Sequence, residues 1–133
     1  MPIRPADFLE AAQALNRLRP PLVSDEVCGR TMANRMYYAA YHEVREAIRS
    51  QTGNRAFDAT HTALVAALAH ASDPEVQAVG TRLDSLKTIR EHSDYKLDRS
   101  ISKLTAAFHL DDARYVFDNA KRLQGRFPPV RTR

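Results

Sequence analysis

The chain has 133 residues, 44% of them apolar and 27% charged, with a formal net charge of +4 and a pI of about 9.5. That length and balance predict one globular domain that buries a core without staples. The single cysteine, Cys28, excludes an internal disulfide and a cysteine-ligated zinc site. No apolar run approaches the ~18 residues of a membrane span, and the start Met1-Pro-Ile-Arg-Pro5 lacks the apolar core of a signal peptide. No membrane association and a cytoplasmic location are therefore expected.

In chain order, helix one is predicted from Pro5, a residue favoured in a first helical turn. It carries Phe8, Leu9, Ala12, Leu15 and Leu18 at helical spacing and stops at Arg19-Pro20-Pro21. Ser24 is an N-cap for helix two, with Asp25 and Glu26 at the positive end of the dipole. That helix runs to about Thr52, before Gly53, and is the long element of the fold. Helix three covers roughly Thr60 to Ala71. Asp73-Pro74 caps helix four, whose apolar residues Val76, Val79, Leu83 and Leu86 lead toward Tyr95. Residues 96–105 are read as a loop, and helix five as Ala107 to Leu123. The expected fold is all-α, a four- to five-helix bundle over residues 1–124, followed by a basic, flexible tail at 125–133. The basic residues are scattered, densest at Lys121, Arg122, Arg126, Arg131 and Arg133. This mild excess permits a nucleic-acid partner without requiring one.

Two segments carry chemistry. In helix two, Asn34-Arg-Met-Tyr37-Tyr38-Ala-Ala-Tyr41-His42 places Tyr37, Tyr41, Val44 and Ile48 on one stripe, a core face whose hydroxyls need partners at its edge. Arg35 and His42, seven apart, share another face, and Tyr38 flanks both. At the end of helix four, the stripe Val79, Leu83, Leu86 extends by fours to Arg90 and Asp94. A charged i, i+4 pair on a core-directed stripe departs from binary patterning, and such departures are often functional. Asp94 can satisfy the guanidinium through charge-assisted bonds, with Asn34, Tyr37 or Tyr41 completing a structural network. A clasp joining helices two and four and a functional arginine at a cleft both fit that pattern.

Together these segments resemble the HEPN family. Arg35-Met-Tyr-Tyr-Ala-Ala-Tyr-His42 is similar to the R-x-Y-Y-A-x-F-H helix of small bacterial HEPN proteins, and Leu86 to Tyr95 to their later L-x-x-x-R-x-x-x-D-Y segment. His61 falls where many of them have a histidine. The resemblance covers about Ser24 to Leu123 and implies a HEPN-like bundle, commonly a homodimer. It also implies a metal-independent ribonuclease, a partner of a small nucleotidyltransferase or an RNA-binding module, in toxin–antitoxin or antiviral settings. No cofactor or metal is expected.

Catalytic members carry an arginine followed after four to six residues by a histidine. Arginine would stabilise phosphate charge and histidine would move a proton. Arg90 matches the arginine, but Tyr95, Lys96 and Leu97 occupy the histidine positions, and His92 comes too early on an unbroken helix. The motif is degenerate, so the candidate catalytic set is Arg90 with His92 or Tyr95. Arg35, Tyr38, His42 and Asp94 are candidates for RNA or partner binding. Arg35 and His42 fit the bare catalytic pattern literally, on the wrong helix, and are read as a coincidence.

Three functions follow: an RNA- or nucleotide-directed module without strong cleavage, an active homodimeric endoribonuclease toxin using Arg90 with His92 or His42 across the dimer, and a purely structural dimerisation bundle. An antitoxin or a nucleotidyltransferase is the expected protein partner. The four unclustered glycines make no phosphate loop, and His42-Glu43 lacks the second histidine of a zincin helix.

Overall fold

The structure, a computed structural model, describes residues 4–17, 24–51 and 61–128. All regular structure among these residues is helical: α1 Pro5–Arg17, α2 Asp25–Gln51, α3 His61–Ala69, α4 Pro74–Tyr95, α5 Lys103–Ala107 and α6 Leu110–Ala120. The all-α bundle with one long helix is thus the fold. The predicted stop at Arg19-Pro20-Pro21, the Gly53 cap and the Thr60 start lie outside the described residues.

The predicted starts have their physical causes in place. The Ser24 hydroxyl accepts the Val27 amide at 3.2 Å, and the Asp73 carboxylate accepts the Glu75 amide at 3.0 Å with Pro74 in the first turn. These side chains satisfy amides that a helix start leaves orphaned. α2 has 27 residues, about 40 Å of helix, and packs against α1, α4, α5 and α6, while α3 packs on α4. Its buried face, with Met32, Met36, Tyr37, Val44 and Ile48, shares one core with Leu64 and Leu68 of α3, Leu83 and Leu86 of α4, and Val116 of α6.

Three expectations change. The stretch read as a loop contains α5, capped by Ser102, whose hydroxyl accepts the Thr105 amide at 3.1 Å. Helix five begins later, at Leu110, after a turn at Phe108 and His109. The segment expected as a tail is packed over its described part, 125–128. Phe127 is buried, Gln51 binds the amides of Gly125 and Phe127, and Arg126 pairs with Asp73 and Glu75. An aromatic anchor and a carboxylate pair outweigh the composition of a segment that reads as tail.

Candidate functional site

α4 delivers Arg90 to the seam with α2. The core stripe does not pass through Arg90 and Asp94 as expected; Ile89 and Ser93 are the buried pair, and Arg90 lies beside them with its side chain 11% exposed. At 100° per residue, a one-position offset turns Arg90 from the core onto its aromatic edge. Its guanidinium stands 5.0 Å from the Tyr37 ring centroid and 5.9 Å from those of Tyr38 and Tyr95, within cation–π range. Asp94 pairs with it at 3.6 Å and takes a hydrogen bond from Asn34 at 3.3 Å. Asn34 in turn accepts from Arg35 at 3.2 Å. The Arg90 Nε is buried without a partner, so the carboxylate does not satisfy the whole fork.

Above this pair lies a layer of rings. Phe8 of α1 stands 6.3 Å from His42 and 6.2 Å from Tyr38, and Tyr38 and His42 stack at 5.8 Å. All three are half-buried. Arg35 covers Phe8 at 5.6 Å, so Arg35 and His42, seven apart in sequence, meet on one ring. Beneath, Tyr41 is buried and stacks on His61 at 3.9 Å with 15° between planes. The Tyr37 hydroxyl and His61 Nδ1 are 2.7 Å apart.

The structure therefore gathers Asn34, Arg35, Tyr37, Tyr38, Tyr41, His42, Arg90, Asp94 and the exposed Tyr95 at one end of the α2–α4 seam, and adds His61 from α3. His92 is not among them. It could serve Arg90 only if the helix ended before it, but α4 continues to Tyr95 and the Lys96 amide bonds the His92 carbonyl. Two residues along an unbroken helix turn His92 about 200° away from Arg90. It lines a separate cleft of about 650 Å³ with Arg99, Thr105 and His109.

The electrostatics are uneven. Burial lowers the pKa of His61, and Arg90, His42, Lys87 and Arg45 lower it further. His42 is lowered by burial and Arg45, against a smaller opposing pull from Glu46. Burial pushes the Tyr37 phenol up, with the Arg90 charge pulling the other way. Both imidazoles are thus held neutral in a field that attracts anions.

Their depressed pKa values set a sign for stability. Below the unfolded value of about 6.5, the unfolded chain binds protons that the folded chain refuses, so stability falls as pH falls through that window. Urea denaturation is expected to show a lower midpoint at pH 5.5 than at pH 7.5, with a smaller difference in a His42→Gln/His61→Gln double variant. An equal difference in that variant would assign the effect to other groups.

Among the described residues, no group of histidines, cysteines and carboxylates is arranged to hold a metal ion, and no helix is long and apolar enough to cross a membrane. No family model, curated protein or solved structure matches the chain.

Proposed function

We propose that this chain is a HEPN-like, RNA- or nucleotide-directed module with little cleavage activity of its own. The observation that carries the reading is the Arg90 guanidinium, framed by three tyrosine rings beside a half-buried aromatic layer. Arginine recognises phosphate oxygens through charge-assisted, forked hydrogen bonds, and aromatic faces stack bases at ~1–3 kcal/mol each. Weak cleavage follows from the histidines. His92 faces elsewhere, and His61 has one nitrogen committed to Tyr37. The homodimer, the cytoplasmic setting, the toxin–antitoxin or defence context and a nucleotidyltransferase or antitoxin partner rest on the resemblance of the two segments and on composition, and belong to the same proposal.

One second reading has a specific observation behind it. The Arg90–Asp94–Asn34 chain of contacts also suits a clasp that only joins α4 to α2. Fluorescence anisotropy with a labelled single-stranded oligoribonucleotide in metal-free buffer separates the two. Wild type is expected to bind and leave the RNA intact, and a folded Arg90→Ala variant to bind tenfold or more weakly, as for loss of a charged hydrogen bond of ~1.5–3 kcal/mol. Unchanged binding with a lowered melting temperature would assign Arg90 to the clasp. Metal-free cleavage by wild type, lost in Arg90→Ala, would make the chain a ribonuclease.

A further inference from the structure

We propose that His61 is the second phosphate contact of this aromatic site, a neutral imidazole whose proton is fixed on Nε2 by Tyr37 and offered to a phosphate oxygen of a nucleotide held by Arg90. The inference rests on the nucleotide-directed reading and adds to it a residue from α3 with a defined protonation state.

The argument is one of donors and acceptors. A guanidinium carries no acceptor, and the Arg90 charge stands 5.0 Å from the Tyr37 ring centroid, which favours the phenol orientation with its oxygen lone pairs toward the cation and its proton turned away. Burial keeps the phenol protonated, and its own O–H is left to donate to the nearest acceptor, His61 Nδ1, 2.7 Å away. An imidazole that accepts at Nδ1 while neutral carries its proton on Nε2. Among the described residues nothing takes that second N–H, which is not one of the buried atoms lacking a partner.

The ring is also held still. Tyr41, buried and parallel, lies against one face at 3.9 Å, and Tyr37 fixes the edge, so Nε2 has one direction in which to point. The charges that act most on His61 are Arg90, His42, Lys87 and Arg45, each positive or able to become so. They come from α2 and α4, the helices that flank it. A neutral donor within a cationic surround fits an anion with hydrogen-bond acceptors. A phosphate ester meets that description, and the base attached to it would meet the Phe8, Tyr38 and His42 rings.

The test uses the full chain with adenosine 5′-monophosphate, adenosine and inorganic phosphate as probes, by calorimetry. Long-range ¹H–¹⁵N correlation spectra of the imidazoles supply an independent reading. Wild type is expected to bind the monophosphate well above either fragment and to show the Nε2–H pattern at His61. His61→Phe keeps a ring and loses the donor, and is expected to bind about tenfold more weakly. His61→Gln keeps a donor and is expected to stay within a few-fold of wild type. Tyr37→Phe is expected to mix the His61 tautomers.

Wild-type binding with His61→Phe unaffected, or an Nδ1–H pattern in wild type, would overturn the role of His61 alone. Absence of any nucleotide binding by wild type would overturn it together with the nucleotide reading. Equal binding of inorganic phosphate and the monophosphate would keep the His61 contact and remove the base platform. Should His61→Phe fail to fold, the wild-type tautomer and the Tyr37→Phe spectra still decide the assignment.

Discussion

Replacing Gly29 with alanine is expected to destabilise the protein by about 2 kcal/mol or more, although alanine is the better helix former by ~1 kcal/mol. An ideal Cβ at Gly29 would stand 2.3 Å from the Ile101 carbonyl oxygen and 2.5 Å from the carbonyl carbon of Ser102. Both are backbone atoms, so no rotamer change relieves the overlap. Either α2 or the stretch leading into α5 must move, and Ile101, buried against Ala33 and Ile89, moves with it. A thermal melt is expected to shift down by roughly 6 °C or more, taking ~3–4 °C per kcal/mol for a domain of this size. A higher melting temperature would mean that the stretch does not press on α2. Gly80 has the same relation to the Leu68–Ala69 backbone of α3, with a Cβ 2.3 Å from the Ala69 nitrogen.

The Arg30→Met variant has a comparable expected cost by a different route. The Arg30 guanidinium donates to the carbonyls of Ser93 at 2.7 Å, His92 at 3.2 Å and Leu97 at 3.5 Å, and also to that of Arg99. The last carbonyls of a helix lack intrahelical amide partners; here one arginine of α2 caps that of Ser93, joins the Lys96 amide on that of His92, and reaches those of Leu97 and Arg99 beyond. Its own charge is met by Glu26 at 2.9 Å, which also accepts the Ile101 amide at 2.8 Å. Methionine keeps the stem and removes the donors, leaving acceptors unpaired at ~1–3 kcal/mol each where they are buried. A loss of about 3 kcal/mol in urea denaturation is expected, with hydrogen exchange quickening first at residues 93–101. Unchanged exchange there would show that water replaces the guanidinium without loss.

These two sites also mark where the sequence is legible. Local rules place the helix starts, because a cap acts within three or four residues: Ser24 on Val27 and Asp73 on Glu75. The same rules miss α5, since five residues are too few to show a period, although Ser102 and Thr105 carry its cap. Arg30 and Glu26 read as an ordinary i, i+4 surface pair. Their partners at Ser93 and Ile101 lie 63 and 75 residues away, and nothing local announces them.

The candidate site divides in the same way. Tyr37, Tyr41, Arg90 and Asp94 stand out because their types conflict with, or barely suit, the stripe that helical spacing assigns them, although α4 turns Arg90 and Asp94 off it. His61 comes into view only through the resemblance, since its chemistry is made by Tyr37 and Tyr41 on another helix. His92 attracts attention by nearness in sequence to Arg90, and an unbroken helix separates them. Phe8 reads as a core residue of α1, and only the packing of α1 on α2 reveals it as the ring on which Arg35 and His42 meet.

The most direct test of the account is a ¹H–¹⁵N shift map of the protein titrated with a short single-stranded oligoribonucleotide. Shifts gathered on Phe8, Tyr38, His42, His61 and Arg90 are the predicted result. Shifts centred instead on the cleft at His92, Arg99 and His109, or none at all, would contradict it.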